Sequence, residues 1–180
     1  IDTVNVNVVH PVYPNAGLDD SLCHSALSGY QLQGVKGTPT NESFWEFESG
    51  PPTAPGTPNA IFQPNTPNNL NATTLTNYPG EYTYVIHEID QYGVCPETTD
   101  TLKLYFSKEN HTTTFTDPTC YGYEDGSIQI ASDGSLGAVD YSFNGGTSYT
   151  TSSDSINLGA GDYTVISRDA LGCEFESSVT

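Results

Sequence analysis

The chain carries one strand–turn–cysteine pattern twice. The first copy runs from Gly80 to Cys95 and the second from Gly161 to Cys173. Each begins Gly-acid-Tyr-Thr, continues as a β-prone run to an Asp, turns at a Gly and ends on a Cys. Because an internal repeat constrains architecture more than any local motif does, we expect a tandem array of units. Each unit should contain a strand, a tight turn and a returning strand.

The side chains of both copies alternate along the predicted strand. Tyr82, Tyr84 and Ile86 occupy every second position of the first copy, as do Tyr163 and Val165 in the second. A period of two places these side chains on one face of a sheet. We therefore predict a strand in each copy, with these side chains sharing one of its faces.

A second repeated segment indicates the length of the units. Asp100-Thr101-Leu102 precedes Cys120 much as Asp2-Thr3-Val4 precedes Cys23. The implied units of roughly 70 to 100 residues are long enough to hold a core of their own. We predict two domains, residues 1–107 and 108–180, joined by a short segment, Ser107 to Thr116. Residues 1–10 are a candidate for the end strand of a preceding unit, and the alternative is that they form the first strand of this one.

The amino-acid composition limits the fold class and the kinds of binding partner. The chain has 22 acidic and four basic residues and a net charge of −18, so nucleic acid and anionic membranes are excluded as partners, since both need clustered cations. No apolar run is long enough to insert into a membrane. Many short β-prone runs are separated by Gly, Pro and Asn, a pattern typical of all-β sandwiches. The predicted fold is therefore two tandem Ig-like β-sandwiches.

The four cysteines are Cys23, Cys95, Cys120 and Cys173, which allow three pairings. The repeat favours Cys23–Cys95 and Cys120–Cys173, because each of these pairs brackets one unit. Each bond would close a long loop and contribute about 4 kcal/mol in the chain-entropy model. Disulfides predict a secreted or cell-surface protein. The alternative is four free, buried thiols.

Catalytic motifs are absent from the sequence. There is no Gly-x-Ser-x-Gly, no phosphate-cradling glycine loop and no close cysteine pair for zinc. The run His87-Glu88-Ile89-Asp90-Gln91 begins like a zinc motif but lacks the second His, and it lies on a predicted strand. We therefore predict that the protein is not an enzyme.

Calcium is the cofactor that suits this charge, because it takes clustered oxygen ligands. The paired acids Asp19 with Asp20 and Glu124 with Asp125 are the candidates for a calcium site. They stand at predicted turns, where acidic side chains also cap backbone groups without any metal.

Aromatic residues offer a second kind of candidate site. Trp45, the only Trp, is predicted to lie in the core, with sugar stacking as its alternative role. Tyr92, Tyr121 and Tyr123 are better candidates for contacts with a polysaccharide or another extracellular ligand. Their alternative role is to pack over a disulfide as loop aromatics.

The residues of the first unit resemble a known domain type. They are Ala16-Gly17-Leu18-Asp19 with Cys23, Phe44-Trp45 with Ser49-Gly50-Pro51, Gly80-Glu81-Tyr82-Thr83, and Cys95. This set resembles the PKD-like, Ig-like domains found in tandem on large surface proteins of Bacteroidetes.

The second unit resembles another known domain type, and its motifs are more specific. Its residues are Cys120, Asp125-Gly126-Ser127-Ile128, Tyr141 with Asn144-Gly145-Gly146, Leu158, and Gly161-Asp162-Tyr163-Thr164 through Asp169 to Gly172-Cys173. This set is similar to the SprB repeat of gliding-motility adhesins. It departs from many such repeats at Gly137-Ala138-Val139-Asp140, where they have Gly-Gly before the central strand.

These resemblances imply a function. They imply a non-catalytic stalk or adhesive repeat of a large cell-surface adhesin, exported by type IX secretion and used in surface attachment and gliding motility. Neighbouring repeats of the same chain are the implied partners. The alternative function is a carbohydrate-binding module of a secreted protein.

Overall fold

All regular structure in the described part of the chain is β-strand. The computed structural model describes residues 12–23, 28–51, 60–63, 68–76 and 78–180. Within these ranges thirteen strands form four sheets. The predicted all-β class is confirmed.

Seven strands form the first two sheets, which we call the N-terminal sheet pair. They are β1 (Asp20–Cys23), β2 (Ser28–Gln31), β3 (Glu42–Ser49), β4 (Ala60–Gln63), β5 (Thr73–Thr76), β6 (Gly80–Ile89) and β7 (Thr98–Ser107). One sheet has the order β1-β7-β6-β3 and the other β2-β5-β4. The β6–β7 hairpin is antiparallel, whereas β1 runs parallel to β7.

Six strands form the C-terminal sheet pair. They are β8 (Asn110–Thr116), β9 (Gly126–Asp133), β10 (Asp140–Ser142), β11 (Asp154–Leu158), β12 (Tyr163–Arg168) and β13 (Glu174–Val179). The two sheets have the orders β11-β9-β8 and β10-β12-β13. The β12–β13 pair is an antiparallel hairpin like β6–β7, as the repeated strand–turn–cysteine pattern predicts.

The core of the N-terminal sheet pair is built on the alternating face of β6. Tyr82, Tyr84 and Ile86 are fully buried, and so are the opposing residues Leu102 and Leu104 of β7. Burying large side chains of this kind contributes about 1.5–3 kcal/mol each. The three side chains share one face of β6, as the period of two predicts, and the structure shows that this face lies in the core.

Trp45 of β3 completes this core. Its side chain is 1% exposed, and its indole N–H donates to the carbonyl of Leu70 at 3.1 Å. That carbonyl also accepts from the backbone N–H of Gly34, at 2.9 Å. A buried indole normally needs such an acceptor. The predicted core role of Trp45 is confirmed.

A smaller core lies between the C-terminal sheets. Its buried members are Ile128, Ile130, Val165 and Val179, and Tyr163 packs against them. Both sheets contribute, β9 from one and β12 and β13 from the other. Tyr163 and Val165 therefore share one face of β12, as the period of two predicts, and that face lies against the core.

The connection between the sheet pairs is shorter than the sequence predicted. We expected a joint from Ser107 to Thr116, but β7 ends at Ser107 and β8 begins at Asn110. The Thr-rich run 112–114 pairs with β9 in a regular antiparallel ladder, and β-branched residues favour that state. Only residues 108 and 109 connect the two pairs.

The strands β1 and β2 are close in sequence but belong to different sheets. β1 ends at Cys23 and pairs with β7, whereas β2 begins at Ser28 and pairs with β5. The chain therefore contributes to both sheets of the sandwich within a short stretch of sequence.

Candidate functional site

The predicted disulfide pairing is wrong. A single disulfide joins Cys23 to Cys173, whereas Cys95 and Cys120 are free thiols. The bond spans 150 residues of sequence and connects the N-terminal sheet pair to the C-terminal one. Instead of closing each unit separately, it ties the two units to each other.

The strand register explains this pairing. Parallel pairing of β1 with β7 sets Cys23 beside Ser107, the last residue of β7, where the chain leaves the N-terminal sheet pair. The hydroxyl of Ser107 donates to the carboxylate of Asp169 in the β12–β13 turn. Cys173 ends that same turn, and its N–H donates to Asp169 at 2.9 Å. Both cysteines therefore lie at the joint between the units.

The predicted partners lie elsewhere. Cys95 follows the β6–β7 turn, at the end of the hairpin away from Ser107. Cys120 lies in the loop between β8 and β9, near the Thr116–Ser127 pair, whereas the joint lies near the Asn110–Asp133 pair. Disulfides require Cα atoms within about 7 Å. The register of the two hairpins thus keeps each predicted pair apart.

The two hairpin turns share one geometry. In the first, the N–H of Gly93 donates to the carbonyl of Asp90, and in the second that of Gly172 donates to the carbonyl of Asp169. Both glycines have positive φ, 65° and 83°. In each turn the Asp carboxylate also accepts the N–H of the following cysteine. The turn chemistry predicted from the sequence is confirmed.

A buried acid lies in the two-residue connection between β7 and β8. Glu109 is 5% exposed, and neither of its carboxylate oxygens has a hydrogen-bond partner of normal geometry among the described residues. Burial raises the pKa of Glu109, and the negative charges of Asp169 and Asp133 raise it further. The nearby hydroxyls of Ser167 and Ser132 act in the opposite direction. The joint thus holds an acid that is poorly stabilised in its charged form.

His111 connects the two C-terminal sheets close to that acid. Its ring nitrogens lie 2.7 Å from the hydroxyls of Ser167 and Ser177, and its ring meets Phe175 edge-on. Burial lowers the pKa of His111, so the neutral ring is favoured at pH 7. Since Ser167 is fully buried, this Ser–His contact offers no nucleophile to a substrate.

Replacing Glu109 by Gln should stabilise the protein at neutral pH. The folded pKa of this acid lies above its unfolded value, so its contribution to stability is greatest at low pH and is lost as the pH rises through the folded pKa. Relief of a buried, poorly paired charge is expected to raise the free energy of unfolding by about 1 kcal/mol at pH 7.

Urea unfolding at pH 7 and pH 4 would measure this effect. The gain from Glu109→Gln should shrink at pH 4, where the wild-type acid takes up its proton. An exposed control, Glu124→Gln, should change little at either pH. A Glu109→Gln protein less stable than wild type at pH 7 would contradict the prediction.

The predicted calcium ligands are engaged in local hydrogen bonds. Asp19 accepts from the backbone of Lys103, and Asp20 from that of Ser21. Asp125 accepts from both the N–H and the hydroxyl of Thr119, which lowers its pKa. No group of three or more metal-ligating side chains occurs among the residues that the structure describes. Calcium binding by Asp19, Asp20, Glu124 and Asp125 stays a prediction.

The three candidate aromatic residues are exposed. Tyr92, Tyr121 and Tyr123 are 78%, 101% and 59% exposed. Tyr121 lines a cavity with Cys120, Val179 and Thr180 at the end of β13, whereas Tyr92 lines another with Cys95. These residues therefore form two separate surfaces, one beside each free cysteine. Their role in ligand binding stays a prediction.

The joint between the units is not predictable from the sequence. Ser107, Glu109 and Asp169 showed no motif, since a buried contact between distant polar residues leaves no pattern of spacing. The disulfide did leave a signal. The repeat makes Cys23 equivalent to Cys120 and Cys95 equivalent to Cys173. A disulfide between the units is therefore as compatible with the repeat as a disulfide within each unit.

Comparison with solved structures identifies the fold. The chain is similar to the Sidekick-1 immunoglobulin domains 1–4, with a TM-score of 0.51 and 11% identity over 93% of this chain and 48% of that one. It is Ig-like in fold. The chain spans about half the length of that protein, and at this identity the likeness extends to the fold alone.

Cadherin-type proteins give weaker similarities. Protocadherin Gamma B2 extracellular cadherin domains 3–6 align with a TM-score of 0.40 and 12% identity, over 94% of this chain and 46% of that one. Human CDH23 EC21–23 aligns with a TM-score of 0.37 and 14% identity, over 97% and 65%. These scores are too low to support an argument about this chain.

The sequence comparisons add no family. No protein-family model matches the chain, and no curated protein matches it. In the described part of the chain, no helix has the length and apolar character needed to cross a bilayer.

Proposed function

We propose that this chain is a non-catalytic segment of a large secreted cell-surface adhesin, in which it acts as a stalk or adhesive repeat. The two domains would be residues 1–107, of PKD-like type, and 108–180, of SprB-repeat type. The resemblance of their residues supports export by type IX secretion and a role in surface attachment and gliding motility.

One observation carries this proposal. Two Ig-like sheet pairs are connected by two residues and tied by the Cys23–Cys173 disulfide. A backbone hydrogen bond from Lys108 to the carbonyl of Gly134 and the Ser107–Asp169 contact add to the joint. Such a connection restricts rotation of one domain against the other, and an extended stalk requires this restriction. The acidic surface suits a filament whose segments repel one another.

Small-angle scattering would test the stalk. A compact domain of this length has a radius of gyration of about 16 Å. We expect a clearly larger value and an elongated envelope for the wild-type chain. A radius of gyration near the compact value would refute the stalk.

The exposed tyrosines favour a second candidate function, a carbohydrate-binding module. Aromatic side chains can stack on sugar rings, and Tyr92 and Tyr121 are largely open to solvent. A glycan array would separate the two functions. Binding that Tyr121→Ala or Tyr92→Ala abolishes, and that the exposed control Tyr13→Ala leaves unchanged, would establish the module. A stalk segment should show no saturable binding.

A further inference from the structure

We propose that Cys95 and Cys120 are the open ends of a disulfide ladder that links successive Ig-like units. Cys120 would bond the turn cysteine of an equivalent unit placed after it. Cys95 would bond the strand-end cysteine of an equivalent unit placed before it. The proposal rests on the tandem-array function and adds to it the covalent connection between units.

The Cys23–Cys173 bond shows which positions are linked between successive units. Cys23 lies beside the last residue of β7 in one unit, and Cys173 ends the hairpin turn of the next. We call these positions the strand-end cysteine and the turn cysteine. The Cys23–Cys173 bond thus joins the strand-end cysteine of one unit to the turn cysteine of the unit that follows.

Cys95 is the turn cysteine of the N-terminal unit. The Asp90 and Asp169 turns have the same glycine geometry, and in both the carboxylate holds the N–H of the cysteine. They differ by one residue, since Cys95 is five positions after Asp90 and Cys173 is four after Asp169. The equivalence is therefore visible in hydrogen bonds as well as in sequence.

Cys120 is the strand-end cysteine of the C-terminal unit. It lines a cavity with Val179 and Thr180, at the end of β13. The strand β13 is the returning strand of its hairpin, as β7 is in the N-terminal unit. The sequence agrees, because Cys23 follows Asp2 by 21 positions and Cys120 follows the matching Asp100 by 20.

Burial distinguishes the occupied hairpin turn from the open one, whereas the strand-end cysteines Cys23 and Cys120 are both exposed. At the joint, Cys173 is 2% exposed and Asp169 5% exposed. Their counterparts in the open turn are less covered, since Cys95 and Asp90 are both only half-buried. Large apolar side chains flank both free cysteines, Val94 at 82% exposure and Tyr121 at 101%. A further unit docked at each end would cover these groups as the joint covers Asp169 and Cys173.

Formation of this disulfide requires a two-electron oxidant, and glutathione disulfide is sufficient. The thiol of Cys120 and that of an incoming turn cysteine lose two protons and two electrons and form one S–S bond. Glutathione disulfide accepts them and is released as two molecules of glutathione. An oxidising compartment, which the Cys23–Cys173 bond also needs, supplies this couple.

A head-to-tail fusion would test the ladder directly. The fusion would join residues 8–180 directly to the end of residues 1–180. Aligning Asp2 with Asp100 makes Val8 equivalent to Phe106, and aligning the two hairpins makes Thr180 equivalent to Tyr105. In the fusion, Val8 therefore follows Thr180 as Phe106 follows Tyr105 in the single chain. After folding in a glutathione redox buffer, a non-reduced peptide map should show Cys120 of the first copy bonded to Cys95 of the second. Free thiols per copy should fall by half relative to the single chain.

The fusion contains its own controls. The outer cysteines, Cys95 of the first copy and Cys120 of the second, should stay free. Changing Cys120→Ser in the first copy should release Cys95 of the second for labelling. If both copies form Cys23–Cys173 and all four other cysteines still react, the fusion has folded without the linkage and the ladder is refuted. An elongated fusion with this thiol pattern would leave the stalk intact, whereas a compact one would refute the stalk independently.

Discussion

Replacing Cys23 and Cys173 together by Ser should cause a large loss of stability. The bond closes a loop of 150 residues, for which chain entropy predicts a contribution of about 5 kcal/mol, and strain or residual unfolded-state structure reduces such values in practice. Because the bond ties one sheet pair to the other, its loss should also divide one unfolding transition into two. Differential scanning calorimetry would show both effects.

The control is the other pair of cysteines. Cys95→Ser with Cys120→Ser removes two thiols and no bond in the single chain, so its melting temperature should stay within about 1–2 °C of wild type. Equal melting temperatures for the two double variants would contradict the assigned pairing.

Replacing Glu88 by Ala should destabilise the N-terminal unit by about 3–5 kcal/mol. Glu88 is 1% exposed, and its carboxylate accepts from the N–H of Gly37 at 2.6 Å, the N–H of Thr38 at 2.8 Å and the amide of Asn41 at 2.9 Å. The Ala variant leaves these three donors without their acceptor. Two of them are backbone groups that no rotamer change can redirect.

Two further variants make this test specific. Glu88→Gln preserves the shape but points an amide donor at other donors, so we expect about half the loss. The exposed acid Glu42, on the neighbouring strand β3, provides the control, and Glu42→Ala should cost less than about 0.5 kcal/mol. Urea unfolding followed by tryptophan fluorescence would report on all three, because Trp45 lies in the same core. A Glu88→Ala protein as stable as Glu42→Ala would show that the three donors find other partners.

The sequence predicted those features that depend on local patterns. Tyr82, Tyr84 and Ile86 share one face of β6, as a period of two predicts, since alternation follows directly from strand geometry. The Asp90 and Asp169 turns formed for the same reason, because Asp and Gly specify a turn within four residues.

What the sequence failed to predict depends on contacts between distant residues. Choosing Cys23–Cys95 assumed that a repeat closes on itself, yet the parallel register of β1 with β7 carries Cys23 to the joint. In the sequence, Glu88 is part of an incomplete zinc motif, whereas in the structure its carboxylate organises the loop from Gly37 to Asn41. Glu109 is buried among groups distant in sequence, Ser167 and Asp169, and no local pattern records those contacts.

The position of the Cys23–Cys173 bond determines how this segment responds to mechanical tension. A pull on the two ends of the chain passes from Cys23 through the sulfur atoms to Cys173 and bypasses every residue between them. The 150 residues of that loop could otherwise release about 500 Å of contour length on unfolding. With the bond intact, the chain can lengthen only outside the loop, so the segment resists stretching even when its sandwiches unfold.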